Sequence, residues 1–124
     1  MIHSLDLKLK NWVKYNNGYF QIAALTEDFP YLNNDEFGHG IVSYDNIFGI
    51  ELTEGILVKL GWKKETWDDA VWYEKTYPVI GQLCTSPKWD YIFDINTDTL
   101  RITYLHELQN LIYILCKKEL KISL

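Results

Sequence analysis

The sequence predicts an α+β protein: short antiparallel strands in an N-terminal barrel-like unit, a short helix, a second antiparallel hairpin region and a C-terminal amphipathic helix. Three observations carry this reading. Asn16-Asn17-Gly18 lies between two apolar runs, and Asn and Gly are the residues that accept the positive φ of a tight hairpin turn. Trp89 to Ile95 and Leu100 to Tyr104 alternate around Asn96-Thr97-Asp98, the period of a strand pair. Leu105, Leu108, Leu111, Ile112 and Leu115 recur at spacings of three and four, which line one face of a helix.

The elements follow in order. Leu5, Leu7 and Leu9 alternate with Asp6, Lys8 and Lys10, as in a short strand. Trp12 to Tyr15 and Tyr19 to Leu25 form the two arms of the first hairpin. Residues 26–40 read as a loop, because Pro30, Asn33-Asn34, Gly38 and Gly40 interrupt any period. Ile41 to Tyr44 begins another strand and Ile47 to Ile50 closes the unit, in the manner of a small, partly open barrel. Thr53 is placed to cap a helix whose apolar face is Ile56, Leu57 and Leu60, with Gly61 ending it in the left-handed conformation. Val71 to Lys75 is a strand, and Pro78 to Pro87 reads as an irregular connection. The alternating tail Leu120 to Leu124 is an expected edge strand, and an edge that pairs between copies gives a homo-oligomer. Together these elements make one domain over 1–124, with a strand-rich unit over 1–50 and the remainder over 51–124.

Composition bounds the function. At 124 residues, 48% of them hydrophobic, the chain holds enough apolar surface to fold as a globular domain. Five Trp, nine Tyr and five Phe supply core rings and interface anchors. The net charge is −5 and Arg101 is the sole arginine, so the basic stripe of a nucleic-acid binder is absent. No apolar run reaches the roughly 20 residues of a membrane span, and the first residues lack a signal-peptide core, so a cytoplasmic protein is expected. Cys84 and Cys116 are far apart and outside any C-x-x-C pattern, which points to free thiols.

Three stretches resemble a known group. They are Leu9-Lys10-Asn11-Trp12-Val13, Ile50 to Glu54 leading into Leu57 to Trp62, and Ile102 to Leu111. Their order and spacing are similar to small uncharacterised proteins of Bacteroidota genomes and prophages, with an "LTEE-LLK-GF" helix and a closing "Y-VH-LQNL" helix. Gly55 departs from that pattern, which has Glu there. The resemblance implies a phage or mobile-element origin and no established activity. By analogy of setting, small phage proteins include inhibitors of host defence, anti-CRISPR proteins among them.

Motifs for chemistry are weak. His106-Glu107-Leu108-Gln109-Asn110 starts like a zinc-protease helix, but Asn110 occupies the position of the second histidine. Asp35, Glu36 and His39 share one loop, too few fixed groups for a metal or an acid–base pair. No nucleophile elbow, phosphate loop or dinucleotide fingerprint occurs, so a hydrolase built on His39 or His106 has little behind it, and no enzyme or cofactor is expected. Charge is more telling. Between Tyr15 and Val58 there is no Lys or Arg, while Glu27, Asp28, Asp35, Glu36, Asp45, Glu51 and Glu54 fall there. The expected partner-binding residues are therefore Glu27, Asp28, Tyr31, Asp35, Glu36, Phe37 and Asp45, an acidic, aromatic surface for a basic, nucleic-acid-handling protein. The alternative is single-strand binding through Trp12, Lys14 and Tyr15 of the N-terminal unit.

Overall fold

A computed structural model describes residues 2, 6–34, 38–77, 81–87, 91–95 and 98–124. The fold is mixed α+β, with two antiparallel sheets, a short helix and a longer C-terminal one. Two compact units form. The first comprises Met1–Glu51, Tyr104–Asn110 and Leu124; the second comprises Leu52–Thr103 and Leu111–Ser123. Among the described residues, no helix is long and apolar enough to cross a membrane.

The first unit holds strands β1 (Trp12–Tyr15), β2 (Gly18–Leu25), β3 (Pro30–Asn34), β4 (Gly38–Ile41) and β5 (Ile47–Phe48), ordered β4-β3-β2-β1-β5. The expected hairpin is present. Asn16 and Asn17 take φ of 48° and 66°, the two left-handed positions that a two-residue turn requires. A bulge between Ile22 and Ala24 locally shifts the β2–β3 register. Val13, Ile22, Leu32 and Ile47 form the core with Ile2 and Leu7, and Tyr15, Phe20, Leu25, Val42 and Tyr44 pack against it.

The sheet stays open, its strand order ending at β4 on one side and β5 on the other, in keeping with an incompletely closed unit. Three expectations change here. The loop expected over 26–40 contains β3 and all of β4 but its last residue, Ile41. Pro30 opens β3, where a missing N–H is tolerated, and Leu32 turns inward opposite Ile22. The alternation at Leu5, Leu7 and Leu9 is not a strand where it is described. Leu7 is buried, Leu9 is exposed, and Lys10 takes a φ of 70°. Residues 3–5 lie outside the described set. Of Ile41 to Tyr44, only Ile41 is in a strand; Tyr44 starts a short 3₁₀ turn, Tyr44–Asn46, capped by the Ser43 hydroxyl.

The C-terminal helix, α2 (Leu105–Cys116), begins in this unit. Glu107 reaches back to accept from the Tyr104 N–H at 2.9 Å, half of a capping box. Two polar side chains then fasten the helix to the chain around β1. Gln109 Oε1 accepts from the Trp12 N–H at 2.9 Å, and its Nε2 donates to the Lys10 carbonyl at 3.3 Å. Asn110 accepts from the Asn11 amide at 2.9 Å and donates to the Asp6 carbonyl at 2.9 Å. Gly49 passes so close to the Tyr104 ring that a Cβ there has no room.

The second unit starts with α1 (Glu54–Lys59). Thr53 caps it by accepting from the Ile56 N–H at 3.2 Å, and Gly61 follows its end at a φ of +88°. Strands β6 (Lys63–Trp67), β7 (Ala70–Tyr77), β8 (Gly81–Ser86), β9 (Ile92–Ile95) and β10 (Asp98–Arg101) form a meander in chain order. The expected irregular connection over 78–87 is instead, from Gly81, the central strand of this sheet. Leu83 and Thr85 point inward while Gln82, Cys84 and Ser86 point out, so the strand presents one large apolar residue. The strand expected from Trp89 starts at Ile92, after Tyr91 at a φ of 56°; Trp89, Asp90 and the turn residues Asn96 and Thr97 lie outside the described residues. The return strand ends at Arg101, and the tail from Lys118 to Leu124 forms no strand. Inside, Trp62 meets Phe93 edge-on at 5.4 Å and Tyr77 at 6.2 Å. Burial pushes the Tyr77 phenol up to about 12, tempered by the nearby Trp62 indole, although neither polar atom completes a hydrogen bond.

Candidate functional site

The acidic segment is partly gathered. Glu27 and Asp28 occupy the turn between β2 and β3. Thr26 builds that turn: its hydroxyl donates to the Phe29 carbonyl at 2.6 Å and accepts from the Phe29 N–H at 3.0 Å. Asp45 sits in the 3₁₀ turn, whose Tyr44 hydroxyl donates to the Thr26 carbonyl at 2.6 Å. That bond ties the two turns together, so three exposed carboxylates collect at one end of the sheet. Asp35, Glu36 and Phe37 lie outside the described residues. Glu51 is exposed in the first unit, whereas Glu54 belongs to the second and is paired with Lys64 at 3.0 Å.

Tyr31 stands on the outer face of the first sheet, opposite Ala24 and Ile41, with its ring 5.6 Å from that of His39. The same face carries a cross-strand row of Phe48, Lys14 and Tyr19. Ile41, Phe48 and Tyr19 are 58%, 51% and 41% exposed. Ile41 and Phe48 escape sequence reasoning because apolar strand residues are assigned inward by default; only the register reveals which face they take.

The outer face of the second sheet has a different character. Glu74, Cys84 and Asp94 stand directly opposite one another across β7, β8 and β9. A depression of about 250 Å³ opens here, lined by Trp72, Cys84, Thr85, Ser86, Ile92 and Asp94. The Trp72 indole N–H donates to Glu74 Oε2 at 3.3 Å. The Cys84 thiol is pushed up by burial first, then by the charges of Glu74 and Asp94. Trp67 projects from the same face at 76% exposure. Cys84 and Cys116 are both free thiols.

His106 is buried in the first turn of α2, stacked on Tyr104 at 5.8 Å, and its Nδ1 lacks a hydrogen-bond partner. Among the described residues, no group of His, Cys, Asp and Glu is arranged to hold a metal ion. Burial pushes the imidazole down, against the weaker opposing pull of Glu107 and Asp6. A lowered folded value means the unfolded chain takes the proton first. Stability is therefore full above about pH 6.5, the ordinary histidine value, and falls as pH drops through it. Urea unfolding at pH 7.5 and 5.5 should show a larger loss for the wild type than for His106→Gln; equal losses would assign the pH dependence to other groups.

Comparison with known protein families, curated proteins and solved structures finds no match to this chain.

Proposed function

We propose that this chain is a non-catalytic protein-binding module whose first unit docks a positively charged protein. The observation that carries this reading is the partition of charge. The first unit has eight carboxylates against three lysines, while the second has nine acidic and nine basic residues. The whole net charge of −5 thus belongs to one unit. A one-sign field of that kind steers an oppositely charged partner and speeds encounter. The exposed Tyr19, Ile41 and Phe48 supply apolar contact area on the outer face of the same unit. The resemblance to phage-associated proteins directs the choice of partner to host defence nucleases, whose nucleic-acid channels are lined with cations. The same charge opposes single-strand binding, which needs a positive groove.

The test uses the whole chain and a Glu27→Lys, Asp28→Lys, Asp45→Lys variant, immobilised in parallel and offered a bacterial host lysate. The expected result is basic proteins held by the wild type at about 0.1 M salt and reduced roughly tenfold on the variant. Identical capture by both would remove the acidic surface from the recognition mechanism.

A further inference from the structure

We propose that the groove on the outer face of the second sheet binds the side chain of an arginine presented by a partner protein. The face is ordered by charge. Among the described residues its cations, Lys63 and Arg101, are on the edge strands β6 and β10, Arg101 opposite Ile92, while Trp72, Glu74, Cys84 and Asp94 occupy the inner strands β7, β8 and β9. Lys63 is held at the edge by Glu65, 3.0 Å away. The centre of the face is thus electronegative as well as aromatic.

Size and geometry select the occupant. At about 250 Å³ the depression is smaller than the roughly 300–1,000 Å³ of ordinary small-molecule sites, and suits one side chain. Glu74 and Asp94 flank Cys84 on either side, each a direct cross-strand neighbour. Directly opposed residues have Cβ atoms about 5 Å apart, so Glu74, at the border of the depression, and Asp94, in its lining, stand about 10 Å apart at Cβ with Cys84 between them. A guanidinium carries five donors in a rigid plane and can serve two carboxylates, which a compact ammonium does less well. Trp72 and Ile92 give that plane and its aliphatic stem an apolar wall, and cation–π attraction to an indole is the strongest of its kind. The indole bond to Glu74 fixes both groups before any ligand arrives. Asp94 is exposed and forms no ion pair with any described residue. Trp67, at 76% exposure on the tip of the β6–β7 hairpin, leaves apolar surface in water that a docked partner would cover.

The probe is Nα-acetyl-arginine amide, titrated into the isotope-labelled full chain and followed by amide and indole N–H resonances. Saturable shifts are expected at the Trp72 indole and the Cys84 and Asp94 amides, with a Kd on the order of 10 mM. Asp94→Asn and Trp72→Leu should each weaken binding about fivefold or more, since each removes one of the contacts argued above. The uncharged citrulline analogue should leave these resonances unmoved, and the lysine analogue should bind more weakly. Absence of saturable shifts at these residues overturns the site. Equal response to citrulline overturns the role of charge, and equal response to lysine overturns the guanidinium assignment. The outcome is independent of the acidic end of the first unit, which the arginine titration would register at different resonances.

Discussion

Replacing Gln109 with leucine is expected to lower the unfolding free energy by about 1–3 kcal/mol, even though the two side chains differ little in volume. Gln109 is fully buried, with 0% exposure. Its amide bridges the Lys10 carbonyl and the Trp12 N–H, acting as a polar rung beside β1. Leucine fills the space and leaves the Trp12 N–H unpaired away from water, at about 1–3 kcal/mol. The exposed Lys10 carbonyl keeps its bond from the Gln21 amide at 3.2 Å, so losing the Gln109 bond there adds little. With a urea slope of about 1.5 kcal/mol per molar, the midpoint should fall by roughly 0.7–2 M. Asn110→Ala offers a graded comparison. Asn110 is half-buried, so water can replace its two bonds and the loss should be about 1 kcal/mol. A Gln109→Leu loss below about 1 kcal/mol would show that the bridge is dispensable.

That pair of residues illustrates what the sequence could and could not convey. Gln109 and Asn110 stand out in the closing motif, and beside His106 and Glu107 they invite a reading as chemistry. Their bonds instead satisfy the backbone of residues 6–12, a requirement invisible until the helix is placed against β1. The first hairpin, α1 and α2 were legible because neighbouring residues dictate them. Asn16 and Asn17 accept positive φ, Thr53 and Gly61 cap α1, and the leucine spacing defines the stripe of α2. The strands β3 and β8 were not legible. Each buries few large apolar residues, Leu32 in one and Leu83 in the other, and surrounds them with Asn, Gln, Thr and Ser. Their pairing comes from neighbours in the sheet, while the prolines near them open or flank the strands without interrupting them.

The surfaces follow the same division. A run without cations can be read directly from the sequence, and Glu27, Asp28 and Asp45 do converge, through the Tyr44–Thr26 bond. Convergence depends on that bond and on the Val42 N–H bond to the Pro30 carbonyl beside it, tertiary contacts that no spacing along the chain encodes. The groove was more hidden still. Trp72, Cys84 and Asp94 come from three strands and are each about ten residues apart, so they meet only when the register of β7, β8 and β9 is known. The sequence period gives each strand two faces but not which face is open.

The interior of the second unit is expected to be more sensitive, and Phe93→Ala should cost about 3–5 kcal/mol. Phe93 has no exposed surface, lies opposite Thr85 and Leu100 in the sheet, and receives the edge of Trp62 at 5.4 Å and 90°. Truncation removes the transfer energy of the ring, the aromatic pair, and contacts across a void that rigid strands cannot collapse. The polarity of the surroundings sets where in that range the value falls. Thr85 Oγ1 and Trp62 Nε1 are both buried without a hydrogen-bond partner, and both border the space the ring would leave. A water entering there gains polar partners, which an all-aliphatic cavity would deny it. The loss should therefore sit near the lower end, about 3 kcal/mol, and Phe93→Leu should cost only about 1–1.5 kcal/mol. Urea unfolding followed by tryptophan fluorescence gives both values, and a Phe93→Ala loss under about 1.5 kcal/mol would mean that this ring is not central to the packing of the unit.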